Sequence, residues 1–378
     1  MRRRIVFVFY LAAALVAAAA DPKPRARDLG VPFDGTPGPL NAITDVAGVE
    51  VGQTTIIRGD GKLVVGEGPV RTGVTAILPR GHASRAPVFA GWFSLNGNGE
   101  MTGTAWIEES GVLEGPVLLT NTHSVGVVRD AVIAWQVQHS HPGEVWWSLP
   151  VVAETWDGWL NDINGFHVKP EHVFAAIDSA QSGPVAEGGV GGGTGMICHE
   201  FKGGIGTSSR VAGKYTVGVL VQANYGVRAE LRIAGVPVGR EIPEGTFKPK
   251  ESGSILIIVA TDAPLLPHQL KRLAKRAALG LARDGSYSGD GSGDLFLAFS
   301  TANTVPTGHA PPTREVTLLS NDVIDPLFLA TVRATEEAIV NALVAGETMT
   351  GRDDHVVLGL PHDRLRAILK KYGRLVEK

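Results

Sequence analysis

The sequence predicts a layered fold of mixed α and β structure, with helices packed outside a sheet or sheets. Three observations carry this. Residues 255–260 form an uninterrupted β-type run that is apolar on both sides of the pleat, as in a strand covered on both faces. Residues 267–283 place Leu270, Leu273, Ala277 and Leu281 on one side of a helix, and residues 327–344 do the same with Phe328, Val332, Ile339 and Leu343. Strand-like and helix-like stretches alternate in blocks without a repeat of fixed period, which disfavours a solenoid or propeller. With 378 residues, 44% of them hydrophobic and 19% charged, the chain can bury a large core, and its 48 glycines point to tight turns or close backbone approaches.

In chain order, Arg2, Arg3 and Arg4 precede an apolar run over residues 5–17 and a small-residue stretch ending at Ala20. This is the zoning of a secretory signal over residues 1–20, with cleavage after Ala20 and a periplasmic or secreted product. The rival reading, an uncleaved membrane anchor, is disfavoured because the run is shorter than the ~20 residues that span comfortably. Loss of the leader takes the formal charge from −3 to −6, and no long basic block follows, so nucleic acid is excluded as a partner. Residues 74–78 and 117–120 read as short strands, residues 96–100 between them as a turn, and residues 124–138 as a helix. The strand at 255–260 follows Ser252, Gly253 and Ser254. A further apolar run at 295–299 follows a loop expected over residues 284–294.

Several motifs are considered and set aside. The Gly-rich stretch 188–195 lacks the Lys-Ser/Thr ending of a phosphate cradle, and no clear strand feeds into it. The stretches 139–141, with His139 and His141, and 353–355, with Asp353, Asp354 and His355, could each offer two metal ligands, but neither has a convincing third at metal-site spacing. Asp290, Ser292 and Asp294 resemble half a calcium loop, but Leu295 stands where its glycine belongs and Thr301 where its glutamate belongs. Cys198, alone in the chain, has no disulfide partner and reads as a buried structural thiol. No Gly-x-Ser-x-Gly elbow occurs, so a serine enzyme needs another way to activate its hydroxyl.

Ser254 offers such a way. By position alone it is a strand-start residue, yet Gly253 before it lacks a Cβ and can adopt strained geometry that opens its carbonyl to the Ser254 hydroxyl. An N-to-O acyl shift followed by hydrolysis would cut the chain there. Ser254 would then carry a free α-amine of unperturbed pKa ~7.7–8.0, able to take the proton of its own hydroxyl.

Six strings extend this reading: residues 96–103, 150–155, 188–195, 221–226, 253–254 with 260–264, and 289–294. Through them, over residues 28–370, the chain resembles the aminopeptidases with D-amidase and D-esterase activity that include the β-peptidyl aminopeptidases. The resemblance implies a four-layer αββα sandwich, similar to N-terminal-nucleophile hydrolases but with different connectivity. It also implies one precursor cut before the serine, into a large chain of residues 21–253 and a small chain of 254–378, and assembly into homo-oligomers, commonly tetramers. Substrates would be small peptides, amides or esters with a free amine, and no cofactor or metal is required.

Carried over by residue, the resemblance makes Ser254 the nucleophile, Ser292 and Asp294 its supporting serine and acid, and Asn224 the oxyanion donor. Glu154 would receive the substrate's ammonium. Trp156 stands where relatives have Tyr; an indole N–H can donate but cannot exchange a proton as a phenol does. Without the resemblance, Ser292 and Asp294 belong to a polar turn, Asn224 is a turn residue, and Glu154 is a surface or salt-bridged carboxylate. Trp92, Trp106, Trp146, Trp147 and Trp159 are core residues by default, with pocket walls as their other use. Two rival functions remain from sequence: a non-catalytic secreted binding protein, or a family member that has lost self-cleavage. An ordinary endopeptidase or esterase on the same fold is a third.

Overall fold

Alternate residues of the strand Gly253–Thr261 face two different cores. Ile255, Ile257 and Val259 join one apolar cluster, and Leu256, Ile258 and Ala260 join another. The strand is therefore covered on both faces, as its continuous apolar composition requires. The computed structural model describes residues 23–248, 250–305 and 312–377; the leader expected over residues 1–20 lies outside them.

The first half of the chain supplies β1 (Glu50–Arg58), β2 (Val70–Leu78), β3 (Val88–Gly97), α1 (Thr104–Ser110), β4 (Val112–Leu113), β5 (Val117–Asn121), α2 (Val125–Gln138), β6 (Val151–Thr155) and α3 (Pro170–Asp178). Then come β7 (Ile197–Cys198), β8 (Phe201–Lys202), β9 (Gly204–Ala212), β10 (Tyr215–Asn224), α4 (Val238–Glu241) and β11 (Gly253–Thr261). The last part is α5 (Pro267–Arg283), β12 (Ser292–Ser300), α6 (Asp325–Val344), β13 (Met349–Thr350), β14 (Val356–Val357) and α7 (His362–Lys371). One sheet has the order β1-β2-β5-β6 and the other β4-β3-β12-β11-β10-β9.

Burial sorts these into four layers. Val74, Ala76 and Leu118 of the first sheet pack against Val128 and Val132 of α2 and Val173 and Ile177 of α3. Ile77, Leu119 and Val151 on its other face meet Leu220, Leu256, Ile258 and Leu297 of the second sheet. Val219, Ile257 and Phe296 then pack against Leu273 and Ala277 of α5 and Ala338 and Ile339 of α6. This is the αββα sandwich that the resemblance implies.

The amphipathic helices occur where their spacing puts them, with α6 starting at Asp325 because Pro326 suits a first turn. The Gly-rich stretch is no ligand cradle but a spacer between the sheets. A Cβ on Gly192 would stand 2.6 Å from the Leu119 carbonyl oxygen, and one on Gly193 would stand 2.5 Å from the Ile205 nitrogen. One boundary differs from expectation in a way that bears on function. The polar residues 292–294, expected in a loop, are the start of β12, because Gly253 pairs with Ser292 and Ser254 with Gly293 in a parallel ladder. That pairing joins strands 39 residues apart, and local composition carries no sign of it.

Candidate active site

Three neighbouring strands bring the expected residues together. Ser254 on β11 lies opposite Asn224 of β10 on one side and Gly293 of β12 on the other. Gly253 has φ +112, and a Cβ there would stand 2.0 Å from the Asn224 carbonyl oxygen, so only glycine fits. Ser254 is buried, and its Oγ accepts a hydrogen bond from the Gly293 N–H at 3.1 Å. The Ser292 hydroxyl lies 2.6 Å from the Gly253 carbonyl oxygen and 2.9 Å from Asp294 Oδ1.

Ser292 and Asp294 are two apart on one strand, so their side chains share a face, and both are fully buried. Burial pushes the Asp294 carboxyl up, against the hydrogen bonds of the Ser292 and Ser288 hydroxyls and the Ile255 N–H, which pull it down. One hydroxyl proton cannot serve two acceptors. In its protonated form Asp294 donates to Ser292, which frees the Ser292 proton for the Gly253 carbonyl and polarises the bond before Ser254.

The start of the string 96–103, whose residues 96–100 read from sequence as a turn, is the bracket of this site. Asn96 accepts the Asp294 N–H at 3.0 Å and donates to the Ser288 and Gly289 carbonyls at 3.0 and 3.1 Å. Asn98 donates to the Gly291 carbonyl at 2.9 Å. The loop before β12 is thereby fastened to the end of β3.

Asn224 is held from both ends of its amide: Oδ1 accepts the Ile197 N–H at 2.8 Å, and Nδ2 donates to the Trp156 carbonyl at 2.9 Å. Trp156 thus reaches the site through its main chain. The residue is 47% exposed, and its indole rests against Gly158.

Glu154 is the next-to-last residue of β6 in the other sheet and is 4% exposed. Its carboxylate accepts the Glu100 N–H at 3.0 Å and, in a short contact, the Thr122 hydroxyl. No lysine or arginine among the described residues pairs with it, and burial pushes its carboxyl up against those hydrogen bonds and the charge of His123. A Cβ on Gly99 would lie 3.4 Å from Glu154 Oε1 and 3.2 Å from Gly293 Cα. One glycine therefore separates this carboxylate from the strand residue that hydrogen-bonds Ser254. Sequence reasoning missed Thr122 and the Gly293 N–H; Asn96, Gly99 and Glu100 stood out only as members of a turn and of a string shared with the family, without a role.

The other candidates lie elsewhere. Cys198 is fully buried and its thiol is pushed up by burial. His139 stacks on Trp135 and His355 on Trp159, each with ring centroids 4.1 Å apart, and the described residues hold no cluster of metal-ligating side chains. Trp106, Trp146 and Trp147 do line a cavity of about 670 Å³, but at the far end of β3, beside Val88 rather than Asn96 and Gly97.

Residues 41–357 match peptidase family S58. The chain belongs to that family. The β-peptidyl aminopeptidase BapA of Sphingosinicella microcystinivorans is 57% identical over 390 aligned residues, covering 98% of each chain. Among solved structures, the Burkholderia sp. β-aminopeptidase is 54% identical with a TM-score of 0.86, covering 93% of this chain and 99% of its own. The L-aminopeptidase D-Ala-esterase/amidase from Ochrobactrum anthropi is 51% identical with a TM-score of 0.88, covering 93% of this chain and 100% of its own. It is described as a prototype for the serine aminopeptidases and a new variant among the Ntn hydrolase fold. The present S58 member is accordingly a serine aminopeptidase on that variant of the sandwich.

Proposed function

We propose that this S58 aminopeptidase releases its nucleophile by cutting its own Gly253–Ser254 bond, and that it then removes N-terminal residues from peptides, amides or esters bearing a free amine. The observation that carries the reading is the buried Glu154 carboxylate, paired with no lysine or arginine among the described residues and one glycine away from the strand that pairs with Ser254. A substrate ammonium supplies the opposite charge there, and the same substrate's acyl carbon and its leaving group then fall toward Ser254.

In turnover the α-amine of Ser254 takes the Oγ proton as Oγ adds to the substrate carbonyl. The second hydrogen of the Asn224 amide meets the developing oxyanion, a contact whose loss costs ~10²–10³ in rate at comparable sites. The leaving group departs with a proton, and water, activated by the same amine, releases the acyl group. Ser292, freed of the Gly253 carbonyl by the cut, hydrogen-bonds the new amine, with Asp294 behind it.

We favour N-terminal β-amino acid residues as substrates, because full-length relatives at 57% and 53% identity are β-peptidyl aminopeptidases. Export by the leader and assembly into a homo-oligomer, a tetramer in the form the resemblance suggests, belong to the same proposal.

Intact mass of the wild type beside Ser254→Ala tests it. Two fragments meeting at 253–254 in the wild type and one uncut chain in the variant are expected, and uncut chains in both samples would overturn the mechanism. Rates on p-nitroanilides of β-homoalanine, L-alanine and D-alanine then fix the substrate class, and a preference for either α-residue would overturn the β assignment.

A further inference from the structure

Glu251 stands three residues before Ser254, on the side of the bond that turnover does not use. It is 3% exposed. Its Oε1 accepts the Ser286 hydroxyl at 2.6 Å and its Oε2 the Tyr287 N–H at 3.2 Å, while its own N–H donates to the Tyr287 hydroxyl at 3.3 Å. Lys248 donates from Nζ to the Ser252 carbonyl at 3.0 Å. The residues leading to Gly253 are therefore gripped by a side chain, an amide and a carbonyl.

The loop that does the gripping is the one that leads into β12. Ser286 Oγ also accepts the Ser288 N–H at 3.0 Å, and Ser288 is held in the left-handed region at φ +51. The Ser292 N–H then donates to the Gly289 carbonyl at 2.9 Å. Glu251 thus joins the chain before the scissile bond to the loop that fixes Ser292, whose hydroxyl contacts the Gly253 carbonyl.

The geometry points to Glu251 as a positioning residue for self-cleavage, one that registers the Gly253 carbonyl between the Ser254 and Ser292 hydroxyls; it rests on the self-cleavage proposed above. In that step Ser254 Oγ bonds to the Gly253 carbonyl carbon and gives up its proton, and the Gly253–Ser254 C–N bond breaks with the nitrogen taking a proton as an amine. Water then hydrolyses the Gly253–Ser254 ester to a Gly253 carboxylate and a free Ser254 hydroxyl. Glu251 touches none of these atoms. After the cut it lies on the tail of the large chain, so its removal acts on maturation and not on the turnover of chains already cut.

The test follows cutting over time in chains made by cell-free translation, with kcat measured on the isolated cut fraction. Glu251→Ala should lengthen the half-time about tenfold or more, as expected when reacting groups lose their alignment, with kcat per cut chain within about twofold of wild type. Glu251→Gln keeps an acceptor for Ser286 but loses the one for the Tyr287 N–H, and should fall between. Ser286→Ala, a milder change, should slow cutting too, and adding it to Glu251→Ala should cost less than the two single effects combined.

Wild-type cutting rates in Glu251→Ala or Ser286→Ala overturn the inference. So does a kcat that falls in step with the cutting rate, which marks a general structural defect; the unfolding temperature of each variant in a Ser254→Ala background reports that defect directly. If the wild type itself stays uncut, the self-cleavage reading has failed. If the wild type cuts, Ser254→Ala does not, and Glu251→Ala cuts normally, only the role of Glu251 has failed.

Discussion

In the function proposed above, Glu154 is the single residue whose burial, without a lysine or arginine partner among the described residues, sets the specificity. The Glu100 N–H and the Thr122 hydroxyl orient its carboxylate without pairing it to a lysine or arginine among the described residues, and burial outweighs these hydrogen bonds and the charge of His123 and holds its carboxyl above the ordinary range. Protonation removes the charge that an ammonium needs. As pH falls, kcat/KM for free-amine substrates should decline through an apparent pKa above the ~4.3 of an ordinary glutamate. Glu154→Gln should lower kcat/KM about 10- to 100-fold, the worth of one hydrogen bond to a charged group, and should flatten that acid limb. A pH–rate series on both proteins checks this, and an unchanged limb in the variant would assign the titration to another group.

At the scale of elements, what the sequence made legible was periodicity, and what it hid was pairing. The β11 core was readable as a short, continuous apolar run, and α5 and α6 because apolar residues recur at helical spacing on one face. Ser292 and Asp294 were not readable as strand residues, since only the ladder with Gly253 and Ser254 makes them so. The roles proposed for them, and for Glu154, come from the family resemblance alone, whereas Thr122 carried no local signal at all.

The Gly-rich stretch 188–195 was conspicuous but unexplained until the sheets were seen to close on it. A Cβ on Gly192 would meet Gln222 Oε1 at 2.3 Å and the Leu119 carbonyl at 2.6 Å, one on each sheet. Gly192→Ala should therefore lose ~1–3 kcal/mol by overpacking, measured by urea unfolding, whereas alanine at Gly126 on α2, with open space around it, should not destabilise.

At the scale of the molecule, the proposed cut falls where it does not divide the fold. β11 and β12 both belong to the segment after residue 253, yet they lie side by side between β10 and β3, which come before it. Each contributes side chains to both apolar cores, so separation would expose two buried faces at once. A polar tie reinforces this across the cut. Glu337 of α6, fully buried, accepts from Arg27 Nε at 2.7 Å, Arg210 Nη2 at 2.6 Å and Asn41 Nδ2 at 2.6 Å. Burial pushes its carboxyl up, but the Arg27 hydrogen bond and the Arg210 and Arg27 charges together hold it below the ordinary range. A depressed carboxyl contributes stability above its unfolded pKa of ~4.3 and loses it as pH falls through the lower folded value. The two fragments should co-elute at neutral pH in size-exclusion chromatography and come apart first as pH drops below about 4. Glu337→Gln, which leaves the 1% exposed Arg210 guanidinium without its anion, should cost ~3–5 kcal/mol and move that separation toward neutral pH. Fragments that part freely at pH 7 would show instead that the strand ladder and the shared cores do not outlast the peptide bond.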